Sequence, residues 1–289
     1  MMYLYKKDGG ITLEHKIVMD SAGDIKAMDG VDFVSVPLKI LAGEQEFVDD
    51  EALDVEGMTS YLKTYKGKSS TACPNVGEYL EAFGDAENVY CITITSNLSG
   101  SYNAAAIAAE TYQEQHPDRN VFVFDSLSTG PEMVLQAQKI RQWLGEKLPF
   151  QQIVEQGKEY LNNVKLVFSL ESLNNLANNG RGPGAVAKLA GILSIRLIAK
   201  ASDVGTIQPT GKARGEKKVA PELMKHLADM GYNGGRVLIH HCMNSTAAET
   251  LRKLILEKYP RAEVAVGKLG GLCSFYAEQG GLLVGFETA

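Results

Sequence analysis

The chain has 289 residues, 45% of them hydrophobic, enough to bury a sizeable core and to make two domains. A formal net charge of −6 with no basic block argues against a nucleic-acid surface, and no stretch approaches the roughly 18 apolar residues of an integral membrane segment. The start, MMYLYKKDGG, lacks a signal-peptide core, and four scattered cysteines (Cys73, Cys91, Cys242, Cys273) without CxxC spacing read as reduced thiols, so the expected setting is cytoplasmic.

In chain order, the first apolar run is His15-Lys16-Ile17-Val18-Met19-Asp20-Ser21, a predicted strand ending on an Asp-Ser pair. Residues 32–41 are a second β-rich stretch, and 51–66 form a polar, helix-favouring region. A loop over 67–75 leads into the helical spacing of residues 76–83. Residues 89–96 read as a strand ending on Thr95-Ser96, followed by Asn97-Leu98-Ser99-Gly100-Ser101 and an alanine-rich helix to about Gln115. Residues 121–126 end on Asp125-Ser126 and precede a helix over 131–146, with Pro131 in its first turn. This alternation predicts an α/β fold with a mainly parallel sheet flanked by helices. It also gathers three hydroxyl-bearing strand ends along the edge where open α/β sheets place ligands. Small hydroxyls there suit a polar head or an anion held by neutral donors. Each pair can equally be a cap for the segment that follows.

After about Val164 the rhythm changes. Residues 164–170 and 197–210 read as strands flanking an Asn/Gly-rich turn and an apolar helical stretch at 184–195. A helix is expected over 217–230, a strand over 236–241, a helix over 246–258, and short strands over 262–266 and 282–286. The division falls near Asn163, giving an N-terminal α/β domain, 1–163, and a mixed α/β domain, 164–289.

The residues offer no catalytic constellation. His240-His241-Cys242 invites a metal reading, but neighbours on a strand face opposite sides and cannot share one tetrahedral ion. Ser99-Gly100 lacks the G-x-S-x-G elbow, and the glycines at 267, 270 and 271 have neither Walker nor Rossmann spacing. No cofactor is implied. Cys73 is a conceivable nucleophile, although no sequence feature supplies its base.

Several segments, in order, resemble the DegV family of bacterial fatty-acid-binding proteins. They are Ile17-Val18-Met19-Asp20-Ser21, Val36-Pro37-Leu38, Ser70-Thr71-Ala72-Cys73-Pro74-Asn75-Val76-Gly77-Glu78-Tyr79 and Ile92-Thr93-Ile94-Thr95-Ser96-Asn97-Leu98-Ser99-Gly100-Ser101-Tyr102. Val123-Phe124-Asp125-Ser126, Gly180-Arg181 and Ile192-Leu193-Ser194-Ile195-Arg196 continue the set. The resemblance implies a long-chain fatty acid buried between two α/β domains, residues 1–163 carrying the carboxylate-binding loops and 164–289 covering the acyl chain. It implies a non-catalytic subunit that presents the carboxylate to a separate, ATP-using fatty-acid kinase for acyl-phosphate formation.

Carried over by position, the Thr of the family's Thr-Ser-x-Pro-Ser motif falls on Thr71, and the Ser before Leu-Ser-Gly falls on Ser96. The Gly-Gly-Arg motif keeps Gly180 and Arg181, with Asn179 in the first place. Asn75 and Val76 depart from the pattern. The family's Gly-x-His-x-Gly-Pro-Gly, set against residues 267–273, puts Leu269 where the His would be. The implied ligand contacts are therefore Thr71, Ser96, Asn97, Gly100 and Arg181, with Cys73 and Leu269 lining the cavity. Hydrogen bonds to a carboxylate contribute about 1.5–3 kcal/mol each, and each buried methylene about 0.8 kcal/mol, so the tail supplies most of the affinity and the hydroxyls its orientation. Two other readings stand beside this one: a thiol hydrolase using Cys73, and a sensor of a non-acyl metabolite. An apolar tunnel between the domains favours the lipid; a wet cleft favours the others.

Overall fold

A computed structural model describes residues 6–7, 10–11, 14–182 and 195–288. The helical stretch expected at 184–195 lies outside the described residues except for Ile195, as do Ile192, Leu193 and Ser194 of the motif set. A short ribbon, β1 (Lys6–Lys7) and β2 (Gly10–Ile11), precedes β3 (His15–Asp20), a 3-10 turn at Ser21–Gly23, β4 (Asp32–Val36), β5 (Lys39–Ala42) and β6 (Gln45–Val48). Then come α1 (Val55–Thr64), β7 (Ser69–Ala72), α2 (Val76–Phe83), β8 (Asn88–Thr93), α3 (Ser101–Gln115), β9 (Asn120–Asp125), α4 (Pro131–Gly145) and α5 (Phe150–Tyr160). The second half runs β10 (Val164–Leu170), α6 (Asn174–Asn178), β11 (Ile195–Ala201), β12 (Ile207–Arg214), α7 (Val219–Asp229), β13 (Val237–His241), α8 (Ser245–Lys258), β14 (Val264–Lys268), α9 (Gly271–Ala277) and β15 (Leu282–Glu287).

The apolar runs that end on Asp or Thr pair as a four-stranded parallel sheet, in the order β4-β3-β8-β9, with α2 and α3 packed on one face. Residues after 163 build a six-stranded mixed sheet, β12-β11-β10-β15-β13-β14, in which β13 and β14 run parallel and the other pairs antiparallel. The fold is thus mixed α/β, as the sequence pattern predicts. Along β10 the side chains alternate. Leu166, Phe168 and Leu170 face the N-terminal half, while Val167 joins the core formed with α7 and α8.

Helix α4 lies between the two sheets. Met133 to Ala137 are buried without interruption, as expected of a helix covered on all sides. Its first turn approaches β15 at Gly285, where an added Cβ would stand 2.6 Å from the Glu132 nitrogen.

The structure corrects three details. The stretch 32–41 is two strands in different sheets, because Pro37 offers no N–H to continue the ladder. The loop expected over 67–75 contains β7, whose polar Ser69-Ser70-Thr71 pairs antiparallel with β5. The strand expected over 197–210 is a hairpin, β11 turning into β12 at residues 202–206, with Gly205 in the left-handed region at φ 72°.

Candidate functional site

The chain passes from β3 outward to β4 and returns to β8 on the other side of β3, so the strand order reverses between β3 and β8. Ligand crevices in open α/β sheets form at the carboxyl ends around such a reversal. The loops there are tied to one another by the Asp and Ser residues of the repeated pairs. Asp20 accepts hydrogen bonds from the amides of Ala22 at 3.2 Å and Ile94 at 2.9 Å. Burial pushes its carboxyl up to about 7 against these bonds. Asp125 Oδ1 accepts from the amides of Ser96 at 3.0 Å and Leu127 at 3.2 Å. Ser21 Oγ accepts from the Leu38 amide, and Ser126 Oγ donates to the Ser128 carbonyl. These groups therefore brace loops.

Between this edge and the six-stranded sheet lies a cavity with about 770 Å³ of space free of protein atoms, its mouth included. One wall is the β10 row Leu166, Phe168 and Leu170 with Leu283 of β15; another is Ile94, Leu98 and Leu127 from the loops after β8 and β9. Helix α9 contributes Leu272, Cys273, Tyr276 and Ala277, and the β11–β12 hairpin adds Ala201, Gly205, Thr206 and Ile207. Gly205 is needed for this closure, since a Cβ there would overlap Thr95 Oγ1 at 2.1 Å.

The polar groups on the wall are hydroxyls, one thiol and one guanidinium. Thr71 Oγ1 and the Tyr276 hydroxyl are 2.8 Å apart. The Arg181 guanidinium carbon lies 5.7 Å from the Tyr276 ring centroid, and its Nε donates to the Leu98 carbonyl at 2.7 Å. Arg181 Nη1 donates to Asn179 O at 3.2 Å, and among the described residues no carboxylate pairs with its charge. It is the only charged side chain among the described residues of the wall. Burial raises the Tyr276 phenol, which keeps it a neutral O–H donor. Burial pushes the Cys273 thiol well up, and its Sγ donates to the Ala22 carbonyl at 3.4 Å. Beneath the wall, Ser128 Oγ donates to Glu132 Oε2 at 2.5 Å, and burial brings the Glu132 carboxyl up to about 7. A space so lined suits a long apolar chain with one anionic or polar end.

Of the seven residues singled out from the sequence, Thr71 and Arg181 are on the wall. Ser96 is exposed, offering its amide to Asp125; the residue before it, Thr95, faces the cavity. Asn97 is exposed and its Nδ2 donates to the Val204 carbonyl at 2.7 Å, latching the hairpin over the loop. Gly100 is the exposed N-cap of α3. Cys73 is exposed beside Gly100, away from the wall, and among the described residues no histidine is bonded to it. Leu269 is buried in the same apolar cluster as the wall residues Leu166, Phe168 and Leu283, and is not itself among the residues of the wall. The hydroxyl that the C-terminal segment brings to Thr71 belongs to Tyr276, which the sequence reading missed. Only its place in an apolar stretch between glycine pairs could have drawn notice. His240 Nδ1 bonds Asp24 Oδ2 at 3.0 Å and His241 Nδ1 accepts the Asn244 amide, on opposite faces of β13. Among the described residues no group of three His, Cys, Asp or Glu could hold a metal ion, and no helix is long and apolar enough to cross a membrane.

Comparison with known proteins adds a family. A profile described as uncharacterised protein, DegV family, matches residues 14–288. The chain is similar to a DegV domain-containing protein of Streptococcus pneumoniae, 40% identical over 276 residues, covering 94% of this chain and 98% of that one. Among solved structures, it is similar to a DegV family protein from Eubacterium eligens loaded with heptadecanoic acid, at 42% identity and TM-score 0.92, covering 95% of this chain and 100% of that one. It is also similar to the Streptococcus pneumoniae fatty acid kinase (Fak) B3 protein loaded with linoleic acid, at 39% identity and TM-score 0.93, covering 96% and 100%.

Proposed function

The chain belongs to the DegV family, and from that premise we propose that it binds one long-chain fatty acid in the cavity and presents the carboxylate to a separate fatty-acid kinase. The observation that carries this reading is the wall itself: apolar almost throughout, with the Thr71–Tyr276 hydroxyl pair beside Arg181, which no carboxylate among the described residues pairs. A carboxylate among those groups gains charge-assisted hydrogen bonds that an apolar interior otherwise denies it. Burial of the tail contributes about 0.8 kcal/mol per methylene, so retention rests on the tail and orientation on the polar end. Thr71, Tyr276 and Arg181 hold the head group, and Ser96, Asn97 and Gly100 form the rim around it. The acyl-phosphate chemistry belongs to the ATP-using kinase; this chain positions the carboxylate oxygen that receives the phosphoryl group. The fatty-acid-loaded relatives support the ligand class, and the Fak B3 similarity supports the kinase partner.

Denaturing extraction of the purified protein followed by mass spectrometry tests the reading. Near-stoichiometric fatty acid is the expected result. Trace lipid, together with failure to take up added fatty acid, would overturn it. The hydrolase reading has no comparable support, since Cys73 stands outside the cavity.

A further inference from the structure

Helix α9 belongs to the second half of the sequence, yet side chains of the first half hold its N-terminus. The amide of Gly270 donates to Asp24 Oδ1 at 2.8 Å, that of Gly271 to Asp49 Oδ1 at 2.8 Å, and that of Leu272 to Asp49 Oδ2 at 2.9 Å. The helix has no side-chain cap of its own, its N-cap being Gly270. Both carboxylates are fully buried, and each has a basic partner: Lys26 Nζ at 2.8 Å from Asp49, and His240 Nδ1 at 3.0 Å from Asp24. The glycines make the approach possible. A Cβ on Gly271 would stand 3.0 Å from Asp49 Cγ and 2.4 Å from Leu53 Cδ2.

Such a short helix has few internal hydrogen bonds with which to hold its own direction, so its ends set its tilt. At a rise of roughly 1.5 Å per residue, Tyr276 lies about 8 Å along the axis from the clamped end, and a tilt of about 10° would move it by about 1.3 Å. That displacement is enough to break the hydrogen bond between Tyr276 and Thr71.

We propose that Asp24 and Asp49 are positioning residues for the ligand's head group: they clamp the first amides of α9 and thereby place the Tyr276 hydroxyl beside Thr71. The inference rests on the fatty-acid reading of the cavity and goes beyond it by assigning the head-group geometry to two carboxylates that do not touch the ligand.

The test compares affinities for oleic acid and for oleyl alcohol, which has the same tail and no carboxylate, in the native protein, Asp49→Asn, Tyr276→Phe and the double variant. The acid-over-alcohol preference is expected to fall about tenfold in each single variant and no further in the double, because both remove one coupled contact. A merely structural role for Asp49 would weaken both ligands alike and leave the preference at the native value; that result overturns the proposal, as does a double variant in which the two losses multiply. If Tyr276→Phe keeps the native preference, the proposal falls while lipid binding stands. If the native protein binds neither ligand, the fatty-acid reading falls with it. Should Asp49→Asn not fold, Asp24→Ala, which removes the acceptor of the Gly270 amide, carries the test: a severalfold fall in the acid-over-alcohol preference is expected, and an unchanged preference overturns the proposal.

Discussion

Two polar regions border the same cavity and are built in opposite ways. At the carboxyl edge of the parallel sheet, Asp20, Ser21, Asp125 and Ser126 all bond backbone groups of neighbouring loops. At the other, Thr71 and Tyr276 bond each other across the cavity wall, and Arg181 gives two backbone carbonyls only part of its donor set. The first region shapes the cavity; the second has hydrogen-bonding capacity left for a ligand. The residues most visible as a repeated pattern are thus those that brace loops, and the polar side chains of the cavity wall, Thr71, Arg181 and Tyr276, lie outside that repeat.

The sharpest way to break this contrast is Asp20→Ala. It leaves two buried amides without an acceptor and should destabilise the fold by about 2–5 kcal/mol, read as a fall in denaturant midpoint. The acid-over-alcohol preference of the remaining folded protein should stay native. A changed preference with native stability would place Asp20 at the ligand after all.

Glu132→Gln sharpens the same point through pH. The Glu132 carboxyl is raised by burial to about 7, above its unfolded value, so the native state gains from its protonated form at low pH. That contribution is fully present below about pH 4 and is lost as pH rises through about 7. Gln carries no such dependence. The variant should therefore match the native protein near pH 4 and gain on it with rising pH, by at most about 3 kcal/mol, levelling off above pH 7. Equilibrium unfolding at several pH values checks the sign; a difference that shrinks with pH would refute it.

At the other region, Arg181→Met should cut the preference for oleic acid over oleyl alcohol by about ten- to a hundredfold, and Thr71→Val by about tenfold, with stability altered by about 1 kcal/mol or less. Competitive binding measures both. Equal losses for acid and alcohol would show that this end does not read the carboxylate. The smallest effect belongs to Ser96→Ala, whose exposed side chain makes no hydrogen bond among the described residues while its amide stays on Asp125. Stability should shift by about 0.5 kcal/mol or less, with the same acid preference as native.

How much of this was legible in the sequence depends on the residue. The parallel strands could be read because β3, β8 and β9 are unbroken apolar runs covered on both faces. Their shared edge could be read from the polar residues that end them. Thr71 and Arg181 were reached through the family resemblance, since a Thr in a Ser-rich stretch and an Arg in a turn are ordinary surface residues by composition. At the end of β8 it is Thr95 that faces the cavity while Ser96 is exposed, and residue types alone do not distinguish the two positions. Leu269, expected to line the ligand cavity, is buried in the apolar cluster next to the wall and is not among the wall residues.

The sequence by itself determined the alternation of strands and helices in the first half, the change of rhythm near residue 164 and the family, because local apolar periodicity and ordered short motifs are properties of the chain read in one dimension. Only the tertiary structure decided that polar Ser69–Ala72 is a strand, that Gly271–Ala277 is a helix, and that Thr71 and Tyr276 meet. β7 exists because β5 offers it a partner, and α9 starts where Asp24 and Asp49 accept its first amides. Those acceptors lie 222 or more residues away in sequence. No local propensity encodes a hydrogen bond whose partner the chain brings back only after folding.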